Sequence, residues 1–251
     1  MMREETVFGP IFSRRLGRSL GINLLPEKGK LCNFDCIYCE CGWNRDGRED
    51  RRLPSAAEVL EKLRAKLADC QAAGTAIDSI TFSGDGEPTL HPEFASIVDG
   101  TLALRDEFYP AAKVSVLSNA TMAGREDVFR ALRKVDNPIL KIDAATDEGA
   151  AAVNSPSGEY HVADVVSALE RFGGDFILQT MFLRSPSFET GAEPNLSLWT
   201  DLVRRLRPRE TMVYTIARET PMKGLSPYSA EEMKTLVKPL LDEGFRIKIS
   251  G

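Results

Sequence analysis

The chain of 251 residues is long enough to bury one large core, and its 43 % hydrophobic and 27 % charged residues exclude both disorder and a fibrous repeat. A net charge of −5 excludes the strong overall positive field by which many proteins hold nucleic acid through its phosphates. No apolar run approaches the roughly 20 residues of a membrane span, and the start MMREETVFGP lacks the apolar centre of a secretion signal, so a cytoplasmic location is expected.

Taken in chain order, the first predicted strand covers residues 20–25, where Leu20, Ile22 and Leu24 alternate with their neighbours. Four of the five cysteines then crowd into residues 32 to 41. A disulfide framework spreads its cysteines along the chain, whereas such clustering points to metal. Arg14, Arg15 and Arg18 precede the cysteines, and Arg45, Arg48, Arg51 and Arg52 follow them, mixed with Asp46, Glu49 and Asp50. Charges interleaved in this way read as a solvated loop or as a local basic patch.

Ser55 and Glu58 form a capping-box pattern, and Val59, Leu60, Leu63 and Leu67 then fall on one face of a helix that also carries Cys70, read as an ordinary buried thiol. Strands follow at 77–83, 113–118, 139–143, 176–183, 211–216 and 245–250. Between them, helices are indicated by Phe94, Ile97 and Val98, by Val128, Phe129 and Leu132, by Val162, Val165, Val166 and Leu169, and by Trp199, Leu202, Val203 and Leu206. A last helix starts at Ser229, with Glu232 completing a second capping box and Pro239 expected to kink or shorten its final turn.

Strands alternating with amphipathic helices define an α/β fold around a mostly parallel sheet. Six βα units in a chain of this length predict a partial (β/α)6 TIM-type barrel, formed by residues 1–251 as a single domain. Active sites of such barrels gather at the C-terminal ends of the strands, so the residues just after each strand are the ones to inspect.

Cys32, Cys36 and Cys39 lie in the first βα loop, with spacings of three and two residues between them. Thiolates are the usual ligands of iron–sulfur clusters, and three of them hold three corners of a [4Fe–4S] cube while leaving one iron open to a ligand. Adding Cys41 to the set gives the alternative of a closed zinc site or of a four-cysteine electron carrier. The CX3CX2C spacing, with Tyr38 immediately before the third cysteine, resembles the radical S-adenosylmethionine (SAM) superfamily. The stretch FGPIFSRRLGRSLG from Phe8 to Gly21 further resembles the iron–sulfur oxidoreductases of that superfamily related to the tRNA base-modifying enzyme of wybutosine synthesis.

After the second strand comes a turn containing Gly84, Asp85, Gly86 and Glu87. Glycines let a backbone approach a ligand closely, and a carboxylate accepts hydrogen bonds from an ammonium group. The resemblance implies that this turn holds the amino group of SAM, that Ser118 and Asn119 contact its carboxylate or ribose, and that Tyr38 lies near the adenine. Lys141 and Asp143 share one face of the fourth strand, where an acid suits ribose hydroxyls and a lysine suits a carboxylate; a buried or rim ion pair is the alternative. The fifth strand offers Gln179 and Thr180, and Arg218 lies in the segment that ends the sixth, suited either to a substrate or cofactor carboxylate or to a rim salt bridge. Residues 154–158 form a turn-rich loop able to help close the site, His91 reads equally as catalytic or structural, and His161 reads as a surface residue.

The activity implied by the resemblance is reductive cleavage of SAM by a [4Fe–4S] cluster, giving a 5′-deoxyadenosyl radical that takes hydrogen from a substrate. The implied partners are SAM, an electron donor such as flavodoxin or ferredoxin, and a peptide, small-molecule or RNA substrate. A tRNA substrate of the wybutosine type is opposed by the acidic balance and by the absence of further cysteines for a second cluster.

Overall fold

The computed structural model describes residues 5–13, 15–26, 29–46 and 51–251; Arg14 and the charged residues Arg48, Glu49 and Asp50 lie outside the described residues. The chain divides into two compact units, the first formed by residues 1–32, 44–118 and 125–138, the second by residues 33–43, 119–124 and 139–251.

In the first unit, strands β1 (Val7–Ser13) and β2 (Gly17–Ile22) form an antiparallel hairpin, and β3 (Ser79–Phe82) and β4 (Lys113–Ser118) continue the sheet in parallel. The alternation of the sequence fixes their two faces. Leu20, Ile22, Ile80, Phe82, Val114 and Val116 occupy one face, all of them fully buried. The other face carries Ser19, Ser79, Thr81 and Ser115, also buried, whose hydroxyls satisfy one another at 2.7 to 3.0 Å. Helices α1 (Ala56–Ala72), α2 (Phe94–Phe108) and α3 (Glu126–Leu132) complete the unit. The capping box of α1 forms as expected, with the Ser55 hydroxyl accepting from the Glu58 amide and the Glu58 carboxylate accepting from the Ser55 amide. Val59, Leu63 and Leu67 of its apolar face are fully buried, and Cys70 is buried beside them.

Strand β5 (Asn137–Lys141) begins in the first unit and ends in the second. The second unit continues with α4 (Asp147–Asn154), α5 (Val162–Glu170), β6 (Ile177–Arg184), α6 (Asn195–Leu206), β7 (Glu210–Thr215), the two-residue β8 (Ser226–Pro227), α7 (Ala230–Asp242) and β9 (Ile247–Ser250). Strands β5, β6, β7 and β9 are parallel neighbours in that order, and β8 pairs antiparallel with β6. Seven of the eight residues of β6 are buried, as expected of a strand covered on both faces.

Some elements differ from the sequence reading. Strand β1 precedes the first predicted strand, the two-residue β8 was not expected, helix α4 stands where no helix was expected, and α7 carries Pro239 in its last turn and still runs on to Asp242. The turn is closed beyond the proline, with the amides of Glu243, Gly244 and Phe245 donating to the carbonyls of Pro239, Leu241 and Leu240 at 3.0 to 3.1 Å, so the one N–H that a proline lacks costs only a single bond toward the preceding turn.

Candidate functional site

The glycine turn follows β3 directly, and the first unit gathers its residues around Leu31 and Glu87. Leu31 donates its amide to the Asp85 carbonyl at 3.0 Å, and its carbonyl accepts from the Glu87 amide at 3.1 Å, so that the chain entering the cysteine loop pairs with Gly86 in parallel. Gly86 has φ +147°, and a Cβ there would stand 1.8 Å from the Leu31 carbonyl oxygen. A Cβ on Gly84 would meet the Asn23 carboxamide at 2.1 Å. These glycines therefore admit the protein's own backbone and side chains at close range. Gly86→Ala is expected to destabilise the fold by about 3 kcal/mol, because both its φ and its contact with backbone resist a side chain; a urea midpoint equal to that of the parent protein would refute this.

Glu87 is buried, and its Oε1 accepts from the Thr89 amide at 3.0 Å, from the Thr89 hydroxyl and from the Ser118 hydroxyl at 2.8 Å. The structure thus brings Gly84, Asp85, Gly86, Glu87 and Ser118 together. His91 belongs to the same unit and is structural. Its Nδ1 accepts from the Glu93 amide at 3.1 Å, which leaves the proton on Nε2 to donate to the Pro54 carbonyl at 2.8 Å.

In the second unit the cysteine loop is held by later segments of the chain. The amide of Asp35 donates to the Asn154 carbonyl at 2.8 Å, the amide of Ile37 to the Val153 carbonyl at 3.0 Å, and the amide of Met222 to the Ile37 carbonyl at 3.2 Å. Asn119 donates from Nδ2 to Asn33 Oδ1 at 2.7 Å, and Asn33 in turn donates to the Thr121 hydroxyl at 2.7 Å. The loop at 154–158 does reach the cysteine segment: Pro156 pairs with Phe34, and Ser157 bonds the Asn33 carbonyl through its amide and hydroxyl. Beside them lies a cavity of about 300 Å³ lined by Asn33, Phe34, Thr121, Pro156, Ser157 and Tyr160.

The chemistry of this unit centres on Asp143, whose side chain is wholly buried. Its Oδ2 accepts from the Tyr38 hydroxyl and from Asn154 Nδ2 at 2.6 Å, its Oδ1 accepts from the Met181 amide at 2.9 Å, and Lys141 Nζ stands 3.5 Å away. Lys141 also donates to the Tyr38 hydroxyl and lies 4.3 Å from the centre of that ring. Burial opposes the charge on Lys141, but Asp143, Tyr214 and Cys36 outweigh it and hold its pKa above the ordinary lysine value. Burial, with Asp143 next, raises the Tyr38 phenol well above its usual value, so it remains a donor. The Tyr38 ring packs among Ile37, Ala144, Val153, Met181, Leu183 and Phe188. Of the two readings of Lys141 and Asp143, the structure shows the buried ion pair, and Tyr38, the residue before the third cysteine, is part of it.

Asn154 was missed in the sequence, where it read as the start of a loop. It is the last residue of α4, buried, and its Nδ2 reaches Asp143 and also Cys36 Sγ at 3.3 Å. Burial pushes the Cys36 thiol up, and Lys141 and the Asn154 hydrogen bond pull it back down while Asp143 adds to the rise. Elsewhere, Arg218 forms an exposed ion pair with Glu40, the rim salt bridge of the two readings. Thr180 turns away from Gln179 to donate to the Ile142 carbonyl and accept from the Trp199 indole. His161 is half exposed and pairs with Asp147.

All five cysteines are unbridged thiols, and those of the 32–41 segment are half-buried. Among the described residues no three His, Cys, Asp or Glu side chains are grouped so as to hold a metal ion. The donor set itself fits an iron–sulfur cluster: three soft thiols at a compact spacing, one of them already receiving an N–H hydrogen bond. Two buried amide donors, Asn23 Nδ2 and Gln179 Nε2, have no hydrogen-bond partner among the described residues. Leaving such a group unpaired costs about 1 to 3 kcal/mol, a cost that a polar ligand offering acceptors removes. Among the described residues no helix is long and apolar enough to cross a membrane.

The model of the Radical SAM superfamily matches residues 27–177, more than half of the chain. The UPF0026 protein of Methanocaldococcus jannaschii is 28 % identical over 229 residues, which span 89 % of this chain and 67 % of that protein. Among solved structures, a radical SAM methyltransferase from Sphaerobacter thermophilus superposes with a TM-score of 0.71 at 16 % identity, covering 95 % of this chain and 67 % of its own. Archaeal TYW1, of the wybutosine-synthesis group, superposes with a TM-score of 0.55 at 13 % identity, covering 91 % and 72 %. The expected fold, an α/β partial TIM-type barrel with mostly parallel strands, is the fold these structures share with the chain.

Proposed function

Because the chain belongs to the Radical SAM superfamily, we propose that residues 1–251 act as one catalytic domain that binds a [4Fe–4S] cluster through Cys32, Cys36 and Cys39 and cleaves SAM reductively to a 5′-deoxyadenosyl radical. The observation that carries this reading is the set of three half-buried, unbridged thiols at CX3CX2C spacing within the matched region. When bound, the cluster and SAM supply the single electron and the hydrogen-abstracting radical; the protein supplies position and shelter.

Each side chain then has a definite task. Glu87, held by Thr89 and Ser118, offers a fixed carboxylate to the ammonium of SAM, and the backbone of Gly84–Asp85–Gly86 sets its place. Ser118 and Asn119 serve the carboxylate or ribose, Lys141 suits a carboxylate and Asp143 ribose hydroxyls, and Tyr38 lies near the adenine. The unpaired Gln179 amide is a donor for an acceptor on substrate or SAM. A low-potential carrier such as flavodoxin or ferredoxin delivers the electron.

The test is direct. Protein reconstituted anaerobically with iron and sulfide, reduced with dithionite and given SAM is expected to form 5′-deoxyadenosine. If it holds about four irons per chain and forms none, the enzyme reading fails and the carrier reading takes its place. Modification of a tRNA base is the alternative within the class, supported by the Phe8–Gly21 resemblance and opposed by the net charge of −5.

A further inference from the structure

We infer that Asn154 is a positioning residue that sets the reduction potential of the site through an N–H hydrogen bond to Cys36 Sγ; this rests on the reading of Cys36 as a cluster ligand.

The orientation of the Asn154 amide follows from chemistry. An ionised carboxylate only accepts hydrogen bonds, so the Asn154 atom 2.6 Å from Asp143 Oδ2 is the nitrogen. That nitrogen carries two hydrogens. One is taken by Asp143, and the other is directed toward Cys36 Sγ at 3.3 Å, with the Tyr38 hydroxyl near it at 3.4 Å. Asp143 is itself held by the Met181 amide, Tyr38 and Lys141, so the amide is locked from behind.

The backbone fixes the distance as well as the direction. The amides on either side of Cys36, those of Asp35 and Ile37, bind the carbonyls of Asn154 and Val153. The Cys36 backbone is therefore fixed beside the donor by two main-chain hydrogen bonds, which leaves rotation about Cα–Cβ as the one movement that carries the sulfur away. A donor aimed at a ligand sulfur stabilises negative charge there, and reduction adds one electron to the cluster, so the hydrogen bond favours the reduced state. Asn154 in this way eases the entry of the electron.

The experiment compares parent protein with Asn154→Ala and with the near-isosteric Asn154→Leu, all reconstituted as the full chain. Iron content, the midpoint potential from a redox titration followed by electron paramagnetic resonance, and the Fe–S(Cys) stretching frequency from resonance Raman are measured. Both variants are expected to keep the iron content of the parent, to show a more negative midpoint potential and to show a raised stretching frequency. An unchanged potential and frequency in a variant that keeps its cluster overturns the inference alone. Loss of the cluster in both variants also overturns it, by assigning Asn154 to holding the loop. Failure of the parent protein to take up a cluster overturns both the inference and the reading of Cys36 on which it rests.

Discussion

Cys36→Ala is expected to reduce iron uptake to background and to abolish the formation of 5′-deoxyadenosine. The reason lies in the count of donors. With three thiols available, each would hold one iron of the proposed cube, and removal of one would leave two corners exposed to solvent exchange. Cys32→Ala and Cys39→Ala should behave alike, while Cys70→Ala, buried on α1, should leave both measurements unchanged. Cys41→Ala distinguishes the models: an open cluster needs only the first three cysteines, so uptake and cleavage persist, whereas a four-thiolate zinc or carrier site would lose its metal. Full SAM cleavage by reconstituted Cys36→Ala protein would end the assignment.

Asp143→Ala is expected to lower the stability of the metal-free protein by about 3 to 5 kcal/mol, the usual cost of breaking one partner out of a buried ion pair. Four groups converge on this carboxylate: the Tyr38 hydroxyl, Lys141, the Asn154 amide and the Met181 amide. Without it, a lysine only 15 % exposed at its side chain keeps a charge with no counterion. The double variant Asp143→Ala with Lys141→Met should recover a large part of the loss, because the stranded charge goes with its partner. Urea unfolding of the single and double variants measures this. A cost under about 1 kcal/mol for the single variant would place the network outside the stability of the fold.

Much of the architecture was legible in the residues themselves. The caps at Ser55 and Ser229 start helices where their patterns say, since the same oxygen and amide groups that define the pattern make the bonds. Strand β1 was not legible, because Gly9 and Pro10 interrupt its alternation and Ile11 and Phe12 are exposed rather than buried. Helix α4 escaped because its buried face, Gly149, Ala150, Val153 and Asn154, carries only one large apolar side chain, so its helical spacing is hard to read in the residue types. At the site, Glu87, Ser118, Lys141 and Asp143 could be found from their places at strand ends. Asn154 could not: its role depends on the pairing of residues 35–37 with residues 153–154, a long-range contact that no local spacing encodes. Gly84 and Gly86 were read as places where a ligand comes close to the backbone; what stands close to them in the structure is the chain itself.

The anchoring of the cysteine loop also has a temporal side. Ser157, which binds the Asn33 carbonyl, lies 124 positions further along the chain, and Arg218 lies 178 positions beyond its partner Glu40. A ribosome adding about 5 to 20 residues per second needs on the order of 10 s to make the first of these anchors after the loop has been made. Throughout that interval the nascent thiols lack their covering segments and are open to oxidation or to stray metal. Slow synthesis in air should therefore lower the fraction of chains whose thiols are intact when folding is complete.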